Sequence, residues 1–366
     1  MQALVIGGTG PTGPFIVNGL RERGYRVTIL HTGRHETDEV PGDVEHIHTD
    51  PWDMEAFGAA TQGLEFDLCV ALYGRLRGIA QQMAGRCGRF VSAGGVPAYR
   101  GFMNPGLLKP DGLFVPVPES AERVAQEKED MKGYRIVRTE DAVLQHQPQA
   151  THFRYPVIYG PRQPMPREWC VVRRVLDGRR RIILPEAGLT LCHCGYAENV
   201  AHALLLSVDR PEASMGRIYN CGDEEVLTLR QTVAVLAAAL DHEFEMISMP
   251  YHLALPARPM VMAPFSNHRV LDLFQLRSDL GYRDRVRAPE ALARTARWLV
   301  AHPPEPGGVE ETILEDPFDY GAEDRLIDGW QEQLSAVPDA HFSAEPGYTL
   351  SYSGPGGTRP SSPDLE

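Results

Sequence analysis

The sequence predicts an α/β protein in which a doubly wound parallel sheet is followed by a smaller lobe of mixed α/β structure. Two observations support this prediction. In the first 160 residues, short apolar runs alternate with amphipathic stretches, which is the pattern of repeated strand–helix–strand units. After residue 160 the alternation loosens, which indicates that a second lobe begins there.

The strands of the predicted sheet are the short apolar runs at residues 3–6, 25–30, 45–48, 67–72, 89–92 and 152–158. Helical spacing of apolar residues predicts a helix over 15–23, ended by Gly24, and a long helix, continuous or broken, over 119–147. The same criteria predict further helices and strands in the second part: helices at 169–176, 197–207, 228–240 and 289–302, and strands at 181–184 and 217–221.

The formal net charge of -13 is concentrated at one end of the chain. Residues 305–366 contain 14 of the 49 acidic residues and only two arginines, so the rest of the protein is nearly neutral. No basic face is clustered in the sequence, which argues against a nucleic-acid partner. No apolar run approaches the length of a membrane span and no signal peptide precedes the first strand, so we expect a cytoplasmic protein with no membrane partner.

A glycine-rich run lies between the first predicted strand and the first predicted helix: Gly7-Gly8-Thr9-Gly10-Pro11-Thr12-Gly13. In this context glycines let the backbone turn tightly and approach a diphosphate, whose charge the N-terminus of the following helix stabilises. The alternative is a tight turn without a ligand. We predict a Rossmann-type domain that binds NAD(P) through six of these residues: Gly7, Thr9, Gly10, Pro11, Thr12 and Gly13.

The end of the second strand distinguishes NAD from NADP, because an acidic residue there bonds the ribose 2′-hydroxyl and an arginine accepts the 2′-phosphate. No acidic residue occupies that position here, and Arg34 follows the strand. The sequence therefore predicts NADP in preference to NAD, with Arg34 at the 2′-phosphate. Asp50, after the third strand, is predicted to face the adenine; a turn aspartate explains it equally well.

Several segments together resemble the extended short-chain dehydrogenase/reductases, also called the NAD-dependent epimerase/dehydratase family. Besides the glycine run they are FRYPVIYGPRQ at 153–163, GYAENVAHA at 195–203 and RIYNCG at 217–222. The likeness covers about residues 1–302 and implies an NAD(P)-binding domain over 1–160, a substrate-binding lobe over 161–302 with some elements returning to the first domain, and a homodimer. Residues 303–366 are predicted to form an acidic extension rich in proline and glycine and partly disordered.

The resemblance also implies a catalytic tyrosine, a lysine four residues later and a serine or threonine that bonds the reacting oxygen. Tyr134 and Arg138 have this spacing on the long helix, with arginine in place of lysine, and Ser92 is the candidate hydroxyl after the fifth strand. The hypothesis is hydride transfer between the nicotinamide and a carbonyl or carbinol carbon. Tyr134 would act as general acid/base, Arg138 would lower its pKa and Ser92 would polarise the oxygen.

The assignment of the tyrosine leaves alternatives open. Tyr73 and Arg77 show the same spacing but follow the fourth strand, where cofactor contacts are expected. The glutamate that the family has four residues after its lysine would fall on Ala142, whereas the chain offers Glu140 and Asp141. Lys132 or Arg135 therefore remains an alternative cationic partner for the tyrosine.

The substrate is predicted to be a small molecule other than a nucleotide sugar, because Val157 replaces the asparagine with which the family commonly holds such sugars. Arginines near the start of the second lobe, Arg162, Arg167, Arg173, Arg174, Arg179, Arg180 and Arg181, could meet an anionic group of this substrate. Two other functions stay open: a redox-silent dinucleotide-binding scaffold or sensor, and an epimerase or dehydratase that recycles its hydride internally.

The run Cys192-His193-Cys194 is the sequence feature that raises the question of a metal. Alternate residues on a strand point to opposite faces, so the two thiols would face one side and the imidazole the other. Four ligands at zinc-finger spacing are absent from the sequence. The sequence therefore predicts no metal site.

Overall fold

The structure is a computed structural model, and it describes residues 1–34, 36–261, 265–339 and 342–344. The predicted disorder near the C-terminus falls on residues that lie almost entirely outside this description. By contact density the chain divides into two units, Met1–Tyr320 and Gly321–Glu366. All strands described below belong to the first unit.

The described residues form eleven strands: β1 (Gln2–Ile6), β2 (Arg26–His31), β3 (Glu45–His48), β4 (Phe66–Ala71), β5 (Cys87–Gly95), β6 (Thr151–Tyr155), β7 (Val157–Tyr159), β8 (Arg181–Pro185), β9 (Cys194–Tyr196), β10 (Ile218–Asn220) and β11 (Glu245–Met249). Seven of them form one parallel sheet in the order β10-β6-β5-β4-β1-β2-β3. The strand order changes direction between β1 and β4, the kind of switch point where doubly wound sheets bind ligands. The predicted fold class is confirmed.

The helices in the described residues are α1 (Gly13–Glu22), α2 (Met54–Ala60), α3 (Leu76–Gln82), α4 (Met131–His146), α5 (Trp169–Leu176), α6 (Ala197–Asp209), α7 (Pro211–Ser214), α8 (Leu229–Ala238), α9 (Arg258–Val261), α10 (Phe274–Leu280), α11 (Ala288–Ala301), α12 (Val309–Thr312) and α13 (Tyr320–Ser335). Within the described ranges, none of them combines the length and the apolar character that crossing a membrane requires.

The two faces of the sheet are covered by different helices, as the alternation of side chains along the strands requires. Ala3 and Val5 of β1 face a core cluster to which α1, α6 and α10 contribute. Leu4 and Ile6 face the opposite cluster, which is completed by α2, α3 and α4. Both sides of β1 are fully buried, so its carboxyl end is the fixed point from which the glycine run starts.

The long predicted helix is shorter than expected. Residues 119–130 are not helical, because their backbone bonds to the segment after β5: the N–H of Val124 donates to the Ala98 carbonyl, and the N–H of Arg100 donates to Glu122. α4 begins only after Asp130, whose side chain accepts from the Gly133 N–H and caps the helix. The helical spacing of 119–130 was therefore a wrong indication.

The single strand predicted over 152–158 is two strands. Pro156 separates them and has no N–H to donate to a sheet ladder. β6 stays in the main sheet between β5 and β10, whereas β7 leaves it and pairs with β9. This break lets the chain pass from the large sheet into a second group of elements, the stretches from β7 to β9 and from α8 to α9, whose strands lie outside the large sheet. β10 later returns to the edge of the large sheet.

Candidate functional site

The glycine run turns the chain sharply from β1 into α1. Gly7 has a φ of +89°, and a Cβ there would lie 2.8 Å from the Cβ of Tyr73. A Cβ on Gly13 would overlap the carbonyl oxygen of Gly8, so the start of α1 packs directly on the backbone of the run. These positions require glycine for local geometry, independently of any ligand.

Gly10 differs from its neighbours because nothing in the protein fills the space beside it. The nearest atom to a Cβ at this position would be the Gly7 carbonyl oxygen, 3.9 Å away. The N–H of Thr12, the residue that precedes α1, forms no hydrogen bond with the described part of the chain. Open space beside a glycine and free N–H groups at a helix N-terminus are what a diphosphate needs for close approach. The residues present therefore fit a dinucleotide.

The residues predicted to contact the adenosine half lie at the same edge of the sheet. Arg34 is exposed, and no ion pair holds it within the described residues. The carboxylate of Asp50 accepts from the N–H of Trp52 at 2.9 Å, the bond expected of a turn aspartate. Its predicted contact with adenine stays a prediction.

An exposed aromatic pair at this edge was not predicted. Trp52, after β3, and Tyr73, after β4, are each about half exposed and meet edge to face, with ring centroids 5.7 Å apart. Tyr73 also adjoins Gly7 of the glycine run. Large exposed aromatic surfaces favour stacking ligands. The sequence feature that could have indicated this pair is an aromatic residue shortly after the end of each of the two strands.

The structure brings Tyr134 and Arg138 together on α4. Nη1 of Arg138 donates to the Tyr134 hydroxyl at 3.3 Å, and the guanidinium carbon lies 5.8 Å from the ring centre. Arg138 is exposed, and Tyr134 packs beside a small cluster that contains Val124. The pair exists as the spacing predicts, and its catalytic role stays a prediction.

Glu140 and Asp141, the two acidic residues that bear on the register of α4, differ in their surroundings. It is fully buried, and its carboxylate accepts two bonds from Arg154 of β6, at 2.7 and 2.9 Å, whereas Asp141 is exposed. With Glu140 as the glutamate that the resemblance implies, the lysine position falls on Ile136 and the tyrosine position on Lys132. The Cδ1 of Ile136 lies 3.6 Å from where a Cβ on Gly95 would be, so this flank of α4 faces the end of β5.

Ser92 lies inside the sheet instead of beyond its edge. It is fully buried in β5, paired in register with Ala71 and His152, and its hydroxyl lies 2.8 Å from Nδ1 of His152. Burial lowers the pKa of His152 to about 4, so this imidazole is neutral at pH 7. Ser92 would have to leave this bond to meet a substrate oxygen; its catalytic role stays a prediction.

The second group of elements encloses a cavity of about 80 Å³ with apolar walls and a few polar groups. Two buried arginines, Arg167 and Arg269, line it together with Cys192 and Cys194. A hydrogen bond from Cys194 is the main cause that lowers the pKa of Cys192, and the positive charges of the two arginines act in the same direction. Three acidic side chains, Glu168, Asp223 and Glu225, also line it, so the cavity carries both signs of charge inside an apolar surround.

The two thiols and the imidazole of the Cys-His-Cys run point to different surroundings, as strand alternation predicts. Both thiols line the cavity, whereas His193 bonds the backbone on either side of its ring: the Asp223 carbonyl at 2.7 Å and the Leu271 N–H at 3.0 Å. Both ring nitrogens of His193 are engaged in these bonds, so the run does not converge on a metal.

Comparison with known proteins identifies the fold. No family model matches the chain. A segment of 140 residues is 30% identical to the uncharacterized protein YbjS of Escherichia coli, covering 33% of this chain and 42% of that protein, so the chain spans less than half of this relative. The uncharacterized relative indicates no activity.

Solved structures match over most of the chain. UDP-glucose 4-epimerase of Thermotoga maritima, solved with UDP-glucose, has a TM-score of 0.65 at 17% identity and covers 82% of this chain and 99% of its own. dTDP-glucose 4,6-dehydratase of Bacillus anthracis, solved with NAD, has 0.61 at 14%, covering 83% and 97%. UDP-glucuronic acid 4-epimerase of Bacillus cereus, also with NAD, has 0.63 at 13%, covering 82% and 99%. The chain has the fold of the extended short-chain dehydrogenase/reductases, which confirms the fold that the resemblance implied.

Proposed function

We propose that this protein is an NAD(P)-dependent oxidoreductase of the extended short-chain dehydrogenase/reductase type, which transfers hydride to or from a carbonyl or carbinol carbon of a small molecule. The glycine run is the observation that supports it: open space beside Gly10 and a free Thr12 N–H lie at the switch point of the sheet. The bound nicotinamide would supply or accept the hydride. The chain would hold the diphosphate at the start of α1 and place the adenosine near Trp52 and Tyr73.

The basic experiment mixes purified protein with NADPH and a panel of aldehydes and ketones. An oxidoreductase oxidises NADPH in the presence of one or more of them, which the loss of nicotinamide absorbance reports. An enzyme that recycles its hydride internally, as an epimerase would, leaves the absorbance unchanged, so the products are analysed as well. If NADPH binds but is not oxidised and no product forms, only the redox-silent function remains.

NADP is the proposed cofactor, because Arg34 is exposed and unpaired among the described residues at the end of β2. Replacing it, Arg34→Ala, is expected to weaken NADPH binding about tenfold to a hundredfold, the range of a charged hydrogen bond of about 1.5–3 kcal/mol, and to leave NADH binding unchanged. Calorimetric titration with both cofactors measures this. Arg26→Ala, an exposed arginine at the opposite end of β2, is the control. Tighter binding of NADH than NADPH by the unaltered protein would exclude the preference.

The substrate is proposed to carry an anionic group that enters the cavity of the second group of elements. Arg162, Arg173 and Arg174 are paired with Glu39, Glu311 and Asp316, so they are engaged elsewhere. In contrast, Arg167 and Arg269 bond only backbone carbonyls and a thiol by the described contacts, and both line the cavity. Arg167 interacts with the buried carboxylate of Glu168, whereas Nε of Arg269 has no hydrogen-bond partner among the described residues, so Arg269 is the group that an anion there would bind.

Tyr134 is proposed as the general acid/base, with the guanidinium of Arg138 favouring its phenolate. Tyr134→Phe is then expected to reduce turnover at least about a hundredfold with NADPH affinity unchanged. Lys132→Met, two residues away on the other flank of α4, tests the alternative cationic partner and is expected to keep its turnover if Arg138 is the partner of Tyr134. The reverse pattern, with full turnover in Tyr134→Phe and loss in Lys132→Met, would remove Tyr134 from the mechanism.

A redox-silent scaffold or sensor is the second candidate, and the register of α4 favours it. Glu140 places Lys132 and Ile136 where the resemblance implies tyrosine and lysine, so the flank that faces the end of β5 lacks both groups. Such a protein would bind NADPH at the glycine run and never oxidise it. The carbonyl panel described above separates this function from the first.

A further inference from the structure

Three histidines and one glutamate converge where β2 and β3 end. His31 is the last residue of β2 and pairs in register with His48, the last residue of β3. His46 and His48 alternate on β3, so they project from the same face as His31. Glu36 belongs to the loop that joins the two strands and reaches the same point. We call this set, His31, Glu36, His46 and His48, the histidine cluster.

One ligand atom from each residue of the histidine cluster lies within 4.8 Å of all the others. Nε2 of His31 is 3.0 Å from Nδ1 of His46, and Nε2 of His48 is 3.3 Å from Oε1 of Glu36. The same carboxylate oxygen is 3.9 Å from Nδ1 of His46. The three imidazole rings meet edge to face, with centroids 4.9 to 5.8 Å apart. The four atoms thus surround one small volume.

We propose that the histidine cluster is a binding site for a divalent transition-metal ion, with zinc as the best match. Zinc binds imidazole nitrogen and carboxylate oxygen at about 2.0–2.2 Å in a tetrahedron, whose ligand atoms are then about 3.3 Å apart. Three of the six separations, 3.0, 3.3 and 3.9 Å, straddle this value and the others are at most 4.8 Å, so the side chains must draw together to complete the coordination. Three nitrogen ligands and a carboxylate favour zinc over calcium and magnesium, which take oxygen ligands.

The arrangement of strands makes this site rigid on one side and open on the other. The ladder between β2 and β3 fixes the backbone of all three histidines. His31 is buried, whereas His48 and Glu36 each expose about half of their side chains, at 55%. An ion can therefore enter from solvent and meet ligands that are already close together, which lowers the ordering cost of binding.

Binding requires the ring proton of His31 to move. The N–H of Gly33 donates to Nδ1 of His31 at 3.2 Å, so the ring proton of neutral His31 lies on Nε2, facing His46. An ion bound at Nε2 of His31 takes the place of that proton. The proton moves to Nδ1 of the same ring, because its loss to solvent would leave an imidazolate, and His31 then gives up its hydrogen bond from Gly33. His46 and His48 accept no backbone hydrogen bond among the described contacts and so lose none on binding. They are therefore the stronger ligands.

An ion at this site would tie the loop after β2 to β3. That loop carries both Glu36 and Arg34, the candidate 2′-phosphate ligand. The site is separate from the Cys-His-Cys run, where strand geometry argued against a metal, and it revises the expectation of a protein without one. Sequence spacing did not reveal it because His31 and His46 are brought together only by the pairing of the two strands.

The test titrates zinc and, separately, cobalt into tag-free protein that has been treated with chelator, without any dinucleotide. We expect saturation at one ion per chain by calorimetry, and visible absorption typical of four-coordinate cobalt. The double variant His46→Ala/His48→Ala is expected to lose at least about tenfold in affinity and to lose the cobalt absorption. His252→Ala, an exposed histidine in the second group of elements, is the control and is expected to bind as the unaltered protein does.

Thermal unfolding provides a second measurement, because an ion that binds only the folded state raises the midpoint temperature. Zinc is expected to raise it for the unaltered protein and the control, and to leave it unchanged for the double variant. No saturable binding, or equal binding by the double variant, would overturn the proposal. If no metal binds, a separate titration with NADPH shows whether the double variant has lost cofactor affinity, which would assign the imidazoles to the 2′-phosphate. The zinc and cobalt titrations contain no dinucleotide, so they remain decisive whichever function is correct.

Discussion

Replacing Gly10 by valine is expected to abolish measurable dinucleotide binding while leaving the stability of the protein nearly unchanged. The space beside Gly10 is open, since no protein atom would come nearer than 3.9 Å to its Cβ. Its φ is not among the positive values of the chain, so an L side chain strains no backbone there. The valine methyl groups would instead occupy the volume into which a diphosphate must fit. We expect at least a hundredfold loss of NADPH affinity, about 2.7 kcal/mol.

The matched variant is Gly13→Ala, three residues further along the same run. Its single methyl group would overlap the carbonyl oxygen of Gly8, which belongs to the backbone and cannot rotate away. We expect a loss of about 1–3 kcal/mol in the free energy of unfolding, together with weaker binding. Urea unfolding and calorimetric titration with NADPH measure both properties in each variant. NADPH binding by Gly10→Val at the unaltered affinity would contradict the proposed diphosphate site.

The sequence predicted those parts of the fold in which local pattern and tertiary context agree. The glycine run was placed correctly because it has a strand before it and a helix after it. The strand at 45–48 and the helix at 169–176 were predicted with their observed bounds. The polar stretch before Asp130 was predicted as helix because only its spacing was visible; its hydrogen bonds to residues 98–100 come from a distant part of the chain.

The candidate site was less predictable, because it depends on which flank of a helix faces the sheet. Tyr134 with Arg138 and Lys132 with Ile136 have the same spacing, and spacing alone does not distinguish the two flanks. The buried contact between Glu140 and Arg154 bears on this choice, but it joins residues from α4 and β6, so no local pattern reveals it. The histidine cluster illustrates the same limit, since strand pairing is what unites its members.

The buried pair of Glu140 and Arg154 leads to the prediction with the largest expected effect on stability. Both side chains are almost fully buried, and Arg154 also stacks on Tyr99, with its guanidinium carbon 4.6 Å from the ring centre. Arg154→Met would leave the buried carboxylate of Glu140 with only the longer bond, 3.3 Å, from the partly exposed Arg123. We expect a loss of about 3–5 kcal/mol in the free energy of unfolding.

Two effects contribute to the loss of unfolding free energy in Arg154→Met: the buried charge of Glu140 loses its main partner, and packing is lost. The double variant Glu140→Leu/Arg154→Met separates them. Replacing both partners by apolar side chains of similar volume removes the carboxylate that has lost its main partner, so we expect it to recover most of the stability lost in the single variant. Urea unfolding at pH 7 measures the series. A double variant no more stable than Arg154→Met would show that packing around Tyr99, not the charge pair, explains the loss.

The pH dependence of stability distinguishes the ion pair from its neighbour His152. Burial opposes the ionisation of Glu140, but the bonds from Arg154 outweigh it and hold the pKa of this carboxyl below its ordinary value of 4.5. Its stabilising contribution is therefore complete above pH 4.5 and is lost as the pH falls through the lower folded-state pKa. Burial lowers the pKa of His152 from 6.5 to about 4, so protonation of the unfolded chain destabilises the fold between pH 6.5 and 4.

Unfolding measured across this range should accordingly show two regions. Between pH 6.5 and 4.5 the unaltered protein and the Glu140→Leu/Arg154→Met variant are expected to lose stability as the pH falls, because both retain a buried His152. Below pH 4.5 the unaltered protein is expected to lose stability more steeply than the variant, which has no carboxylate to protonate at this position. Parallel curves below pH 4.5 would mean that Glu140 is not ionised in the folded protein, and that the two bonds to Arg154 do not constitute an ion pair.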